Sequence, residues 1–312
     1  MQIQAVLVAG DKGASRAVAG SSKTFVELAG KPMFVHVLET LLHTPEISEV
    51  WVVGEASRLE KALALTGCLE LAADLGCPIH VLPQRNSLYE NVWEAFLLTL
   101  PPGEPDPHHP ILVVPTDIPL ALPEEISDFV RKSLESGADY ALGLSPDAAL
   151  AGFAPRDGED GIEMAYFNLA EGRFRQNNLT VVRPLRVGNR HYIQDVYENR
   201  HQKEFGKGLR LGWRILTREF RNLGVLFLFL LLHVGGLLDR HGYRRAADRM
   251  RMWVSLPAVE RGFSAMLQTK LRFVMTELGG AAIDIDNEED LRVAEKMVDR
   301  WKEMQTRLAN AA

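Results

Sequence analysis

The sequence predicts an α/β protein: three layers, α/β/α, around a mostly parallel sheet, with a largely helical insertion ahead of the last strand and helix. Three observations carry that prediction. Short apolar runs rich in β-branched residues alternate with helical patterns through residues 1–145, the order that builds βαβ units. A loop of glycines and cations follows the first run, and two distant aspartates each follow an apolar run, where open α/β sheets bind ligands. Residues 200–251 then break the pattern, with basic residues on both sides of a long apolar stretch.

The first run, Ala5-Val6-Leu7-Val8-Ala9, reads as a strand near 3–9, and further strands are expected near 49–53, 78–82, 111–114 and 139–144. Helices are expected near 32–43, 56–66, 88–99 and 123–136, and the Pro- and Gly-rich stretch 101–107 is a loop. Two apolar runs around Glu171-Gly172 suggest a hairpin within 160–185, and Ala281-Ala282-Ile283-Asp284-Ile285 reads as a last strand before an amphipathic helix. The expected units are a core over 1–150, a β excursion over 151–190, a basic and apolar helical insertion over 191–275, and a return to the core over 276–312.

The chemistry of the loops is more specific. Ala9, Gly10 and Gly13 let the backbone approach a polyanion, and Arg16 and Lys23 add charge-assisted hydrogen bonds. Asp117 in Thr116-Asp117-Ile118-Pro119 and Asp286 ahead of Asn287-Glu288-Glu289-Asp290 can together hold a hard divalent cation, with Asp284 as a weaker candidate. Capping of a turn and of a helix is the competing reading of each aspartate. Gln84, Asn86 and Asn91 lie in or beside the turn after the third strand, where side-chain amides suit a base edge or a ribose, and Ser87 there also suits a helix cap. Gly10 and Gly13 lack the third spaced glycine of a dinucleotide-binding fingerprint, which argues against a dehydrogenase.

These segments resemble the signature of the MobA-like nucleotidyltransferases, a superfamily of GT-A-like fold. The resemblance lies in Ala9-Gly10 through Arg16 and Lys23 to Leu28-Ala29-Gly30-Lys31-Pro32-Met33, in Thr116-Asp117-Ile118-Pro119-Leu120, and in Ile285-Asp286-Asn287-Glu288-Glu289-Asp290-Leu291. It covers residues 1–145 and 276–305. The chain departs from the pattern with Asp11 after Gly10, one extra residue before Arg16, and Ser22 before the lysine. The resemblance implies that the glycine loop holds a nucleoside triphosphate, that Lys23 and Asp117 are catalytic, and that Asp117 and Asp286 carry Mg2+. An acceptor phosphate would attack the α-phosphorus and expel pyrophosphate, and Arg173, Arg175 and Asn178 in the hairpin would face that acceptor. Two rival readings stay open: a nucleotide-sugar glycosyltransferase, against which the single carboxylate at Asp117 counts, and a non-catalytic, membrane-associated binding protein, which Asp11 favours.

The insertion is distinct in charge. Residues 200–251 hold twelve Lys or Arg against four acids, a net +8, whereas the whole chain of 312 residues carries −6. Between the basic clusters, residues 223–238 form a run of sixteen residues that is apolar apart from His233, short of the roughly 20 that a spanning helix needs. A buried helix, a homodimer contact and contact with an anionic membrane surface are the readings, and nucleic acid is not expected because aromatic interleaving is missing. No secretory signal is expected, so the chain reads as cytoplasmic, with peripheral membrane contact open. Cys68 and Cys77 lack metal-ligand spacing and read as buried thiols.

Overall fold

The computed structural model describes residues 1–10, 17–18, 21–156, 158–190, 231, 234 and 243–311. The chain opens with β1 (Ile3–Ala9), then two short hairpins, β2 (Ala17–Val18) with β3 (Ser21–Ser22) and β4 (Glu27–Leu28) with β5 (Lys31–Pro32). Next come α1 (Met33–Leu42), β6 (Ile47–Gly54), α2 (Ala56–Thr66), α3 (Cys68–Leu75), β7 (Ile79–Pro83), α4 (Leu88–Thr99) and β8 (Ile111–Pro115). The second half holds α5 (Pro123–Glu135), β9 (Tyr140–Pro146), α6 (Asp147–Leu150), β10 (Phe167–Leu169) and β11 (Gly172–Val182). After the undescribed residues follow α7 (Arg244–Arg251), α8 (Leu256–Leu267), β12 (Leu271–Met275) and α9 (Glu288–Ala309).

One sheet of eight strands runs in the order β12-β9-β11-β8-β1-β6-β7, with β10 paired to β11. The pairs β1–β6, β1–β8, β6–β7 and β12–β9 are parallel, and only β11 runs against the rest, wedged between β8 and β9. The alternation along β1 explains the layering. Ile3, Ala5, Leu7 and Ala9 point into a core with α1, α2, α3 and α5, while Val6 points into a second core with α4 and α8. Helices therefore cover both faces, as the sequence predicts.

Two expectations are corrected. The segment 281–285 is not a strand: a 3-10 turn spans Gly280–Ala282, and Ile283 and Ile285 are buried while Asp284 and Asp286 are not. The extended backbone gives strand-like alternation, yet the chain runs against α9 and the β4–β5 hairpin rather than along a sheet edge. The last strand is instead β12, inside the stretch assigned to the helical insertion, where Leu271-Arg272-Phe273-Val274-Met275 pairs with β9. Of the 223–238 run only Leu231 and Val234 are described, both helical, with Leu231 packed against the cluster of Leu144, Phe174 and Val259. No helix among the described residues is long and apolar enough to cross a membrane.

Candidate active site

The carboxyl ends of β1 and β8 lie side by side, with Val8 opposite Pro115, and the loops leaving them form the floor of the site. Thr24 is buried there; its hydroxyl donates to the Ala9 carbonyl at 3.1 Å and lies 3.3 Å from the Thr116 hydroxyl. These bonds fix the short 3-10 turn Lys23–Phe25 on the sheet edge and aim Lys23 across it. The Lys23 ammonium lies 3.7 Å from Asp117 Oδ2 and makes a short hydrogen bond to Asp286 Oδ1. Three sequence-predicted residues, from three distant parts of the chain, thus meet at one point. The arrangement places one cation between two carboxylates at the ligand-binding edge of the sheet.

Asp286 is held by its surroundings rather than by a strand. Ile285 N–H donates to the Asp117 carbonyl at 2.9 Å, which ties the two aspartate loops together. Asn287 caps α9 through the N–H groups of Glu289 and Asp290, so Asp286 itself is not the cap. Two side chains absent from the sequence prediction of this loop pin it from below. Glu125, in the first turn of α5 and fully buried, accepts from Ala281 N–H at 2.9 Å and from the Gly280 N–H, and the Thr276 hydroxyl lies 3.4 Å away. Burial pushes the Glu125 carboxyl up to about 8, against these hydrogen bonds. On the other side, Arg175 donates from Nε to the Ala282 carbonyl at 2.8 Å and forms an ion pair with Asp284. Burial raises the Asp284 carboxyl above the ordinary range; the Arg175 guanidinium opposes that rise and the Asp286 charge adds to it.

The signal for Glu125 was present in the sequence. Glu125, Ile126, Phe129, Val130 and Ser133 form the buried stripe of α5, so a carboxylate stands in phase with the apolar face. That phase separates it from the exposed Glu124, but the partners that give it a role lie about 150 residues away.

The nucleotide candidates divide. Gly10, Gln84 and Asn91 converge: a Cβ on Gly10 would sit 3.0 Å from Gln84 Oε1 and 3.1 Å from Asn91 Nδ2. Asn91 is buried and accepts the Arg85 N–H at 2.5 Å, so it shapes the turn beside Gly10. Asn86 is exposed, its N–H donating to Glu90 at 3.0 Å, and Ser87 caps α4 through the Glu90 N–H. Gly13 and Arg16, with Asp11, lie outside the described residues. Among the acceptor candidates, Arg173 lies over the Tyr166 ring at 4.6 Å, Asn178 is half-buried at the register shift between β11 and β9, and Arg175 turns inward to the loop just described.

The donor set suits a hard cation. Two carboxylates, Asp117 and Asp286, share one ammonium, and both keep access to solvent (side chains 20% and 49% exposed). Magnesium takes one or two carboxylates and fills its remaining positions with water and substrate phosphates. Among the described residues no group of three or more His, Cys, Asp or Glu gathers as a ready-made metal cage, so such an ion would arrive with its phosphates.

Residues 5–150 match the family model of the MobA-like NTP transferase domain. A 2-C-methyl-D-erythritol 4-phosphate cytidylyltransferase from Chlorobium luteolum is 28% identical over 121 residues, 38% of this chain and 49% of that protein. The chain thus spans about half the length of that curated relative. A solved structure from Thermus thermophilus, described as a hypothetical transferase, superposes with a TM-score of 0.55 at 25% identity, covering 93% of this chain and all of that one.

Proposed function

We propose that this chain, whose residues 5–150 form a MobA-like NTP transferase domain, moves a nucleoside monophosphate from a nucleoside triphosphate to a phosphorylated acceptor and releases pyrophosphate. The observation that carries this reading is Lys23 held between Asp117 and Asp286 at the carboxyl edge of β1 and β8. Cytidine is the base to test first, because the curated relative is a cytidylyltransferase.

The chain's residues divide the work. The Ala9–Gly10 backbone, where a Cβ would crowd Gln84 and Asn91, is the part of the site proposed to meet the phosphates and ribose. Asp117 and Asp286 would hold magnesium, which would supply charge neutralisation of the triphosphate. Lys23, which pairs with both carboxylates, is the cation placed to neutralise charge on the α-phosphate. An acceptor phosphate oxygen forms the new bond to the α-phosphorus as the bond to the β-phosphate oxygen breaks, and pyrophosphate leaves. The nucleophile is already an anion, so no side chain has to remove a proton. Arg173 on β11, over the Tyr166 ring, is the residue proposed to meet the acceptor phosphate.

The test is thermal unfolding with ATP, CTP, GTP or UTP, with and without magnesium, on the wild type and Asp117→Ala. Stabilisation by one nucleotide that needs magnesium and is lost in the variant is expected. Folded protein that none of the four nucleotides stabilises would sink the proposal.

A further inference from the structure

The nucleotide site leaves one feature of the sequence unused, the basic and apolar stretch 200–251, and its described end has a definite shape. In α7, Arg245 and Arg249 are exposed, and directly after it Met252 and Trp253 are each 76% exposed. The next residue reverses abruptly: Val254 is 1% exposed. Its carbonyl accepts the Ala170 N–H at 3.0 Å, its own N–H donates to Arg251 O at 2.9 Å, and Leu256 N–H donates to Glu171 at 2.9 Å. Ser255 then caps α8. The turn that carries Met252 and Trp253 is therefore anchored at its base to the β10–β11 hairpin and points two large apolar side chains into solvent. Tyr243 (64%) and Phe167 on β10 (42%) are exposed as well.

An indole and a thioether held outward on a rigid turn beside arginines form an interfacial anchor: the indole suits the headgroup boundary and the guanidinium groups suit lipid phosphates. We propose that the tip Met252–Trp253, with Arg245 and Arg249, docks on an anionic lipid surface. Charge supports that occupant. Arg245 and Arg249 are exposed beside the tip, and the stretch 200–251 to which they belong carries +8 in a chain of −6, which favours an anionic occupant. A second copy of the chain suits the tip less well, because a stable interface buries about 800 Å² per partner and a tip of two side chains offers far less. Single-stranded nucleic acid needs a basic groove with stacked aromatic side chains, not one protruding indole.

Docking is independent of nucleotidyl transfer, but it fixes an orientation. β11 runs from Gly172, beside the anchored turn, to Arg175 at the aspartate loop, three residues or about 10 Å along a strand. A protein seated by this tip turns the carboxyl edge of the sheet towards the lipid headgroups.

The experiment is flotation of the full chain, without nucleotide, on vesicles of phosphatidylcholine alone or mixed with phosphatidylglycerol, at low and high salt. The wild type is expected to float with the mixed vesicles at low salt and to be released at high salt. Met252→Ser with Trp253→Ser, and separately Arg245→Glu with Arg249→Glu, are expected to weaken binding by about tenfold or more, with melting temperatures unchanged because these side chains are exposed. The proposal is overturned if the wild type stays with the soluble fraction on mixed vesicles, or if both variants float like the wild type. It is also overturned if the protein retains an oligonucleotide but not vesicles, or forms a dimer in solution that the Met252 and Trp253 substitutions abolish.

Discussion

Replacing Glu125 by glutamine removes one ionisation from the floor of the site while keeping an oxygen for the Ala281 N–H. The wild-type carboxyl is fully buried and raised to about 8 from an ordinary 4.5. Folded protein therefore holds a proton that the unfolded chain gives up across that interval. The stability tied to that proton is complete below pH 4.5 and is lost as pH rises through about 8. At about 1.4 kcal/mol per pH unit over an interval of about 3.5 units, the loss approaches 5 kcal/mol. Glu125→Gln cannot ionise, so its stability relative to wild type should climb steadily between pH 5 and 8 and level off above. Urea unfolding at fixed ionic strength, in half-unit steps from pH 5 to 9, measures the difference directly. Turnover of the variant should stay close to wild type, because the amide oxygen still holds the loop of Asp284 and Asp286. Parallel stability curves for the two proteins would refute the reasoning, since they would mean that Glu125 ionises as an exposed carboxyl does.

Two further outcomes follow, one from the same loop and one from the β9–β11 pair. Arg175→Lys loses the planar fork that reaches both the Ala282 carbonyl and Asp284; a cost of about 1–3 kcal/mol is expected, together with weaker magnesium-dependent nucleotide binding in a titration, and an unchanged affinity would mean the clamp does not position Asp286. Gly143→Ala would place a Cβ 1.6 Å from Asn177 Oδ1, displacing a buried amide that bonds Leu179 N–H and the Thr276 hydroxyl; about 3 kcal/mol of destabilisation is expected in denaturant unfolding, and a neutral result would show that the strand shifts freely.

Parallel strands buried on both faces produce continuous apolar runs, and for that reason β1, β6, β7, β8 and β9 were legible to within a residue or two. Asp117 was legible for the same cause, since it stands directly after such a run. The 281–285 segment was misread because alternating burial does not reveal whether a backbone has a ladder partner. Leu271–Met275 was missed because a short strand at the sheet's edge, next to a basic insertion, carries no distinctive period. The predicted hairpin around Glu171-Gly172 does form, as β10 and β11. Its placement between β8 and β9, running against both, could not be inferred from the turn.

By itself, the sequence determined the α/β alternation and singled out Lys23, Asp117 and Asp286, because local periodicity and turn chemistry are written in neighbouring positions. Only the tertiary structure decided that Lys23 sits between those two carboxylates, that Arg175 faces Asp284 rather than solvent, and that Glu125 supports the loop from beneath. Those contacts join residues more than 90 positions apart, and a pairing at that distance is set by how the layers pack, which no local pattern encodes.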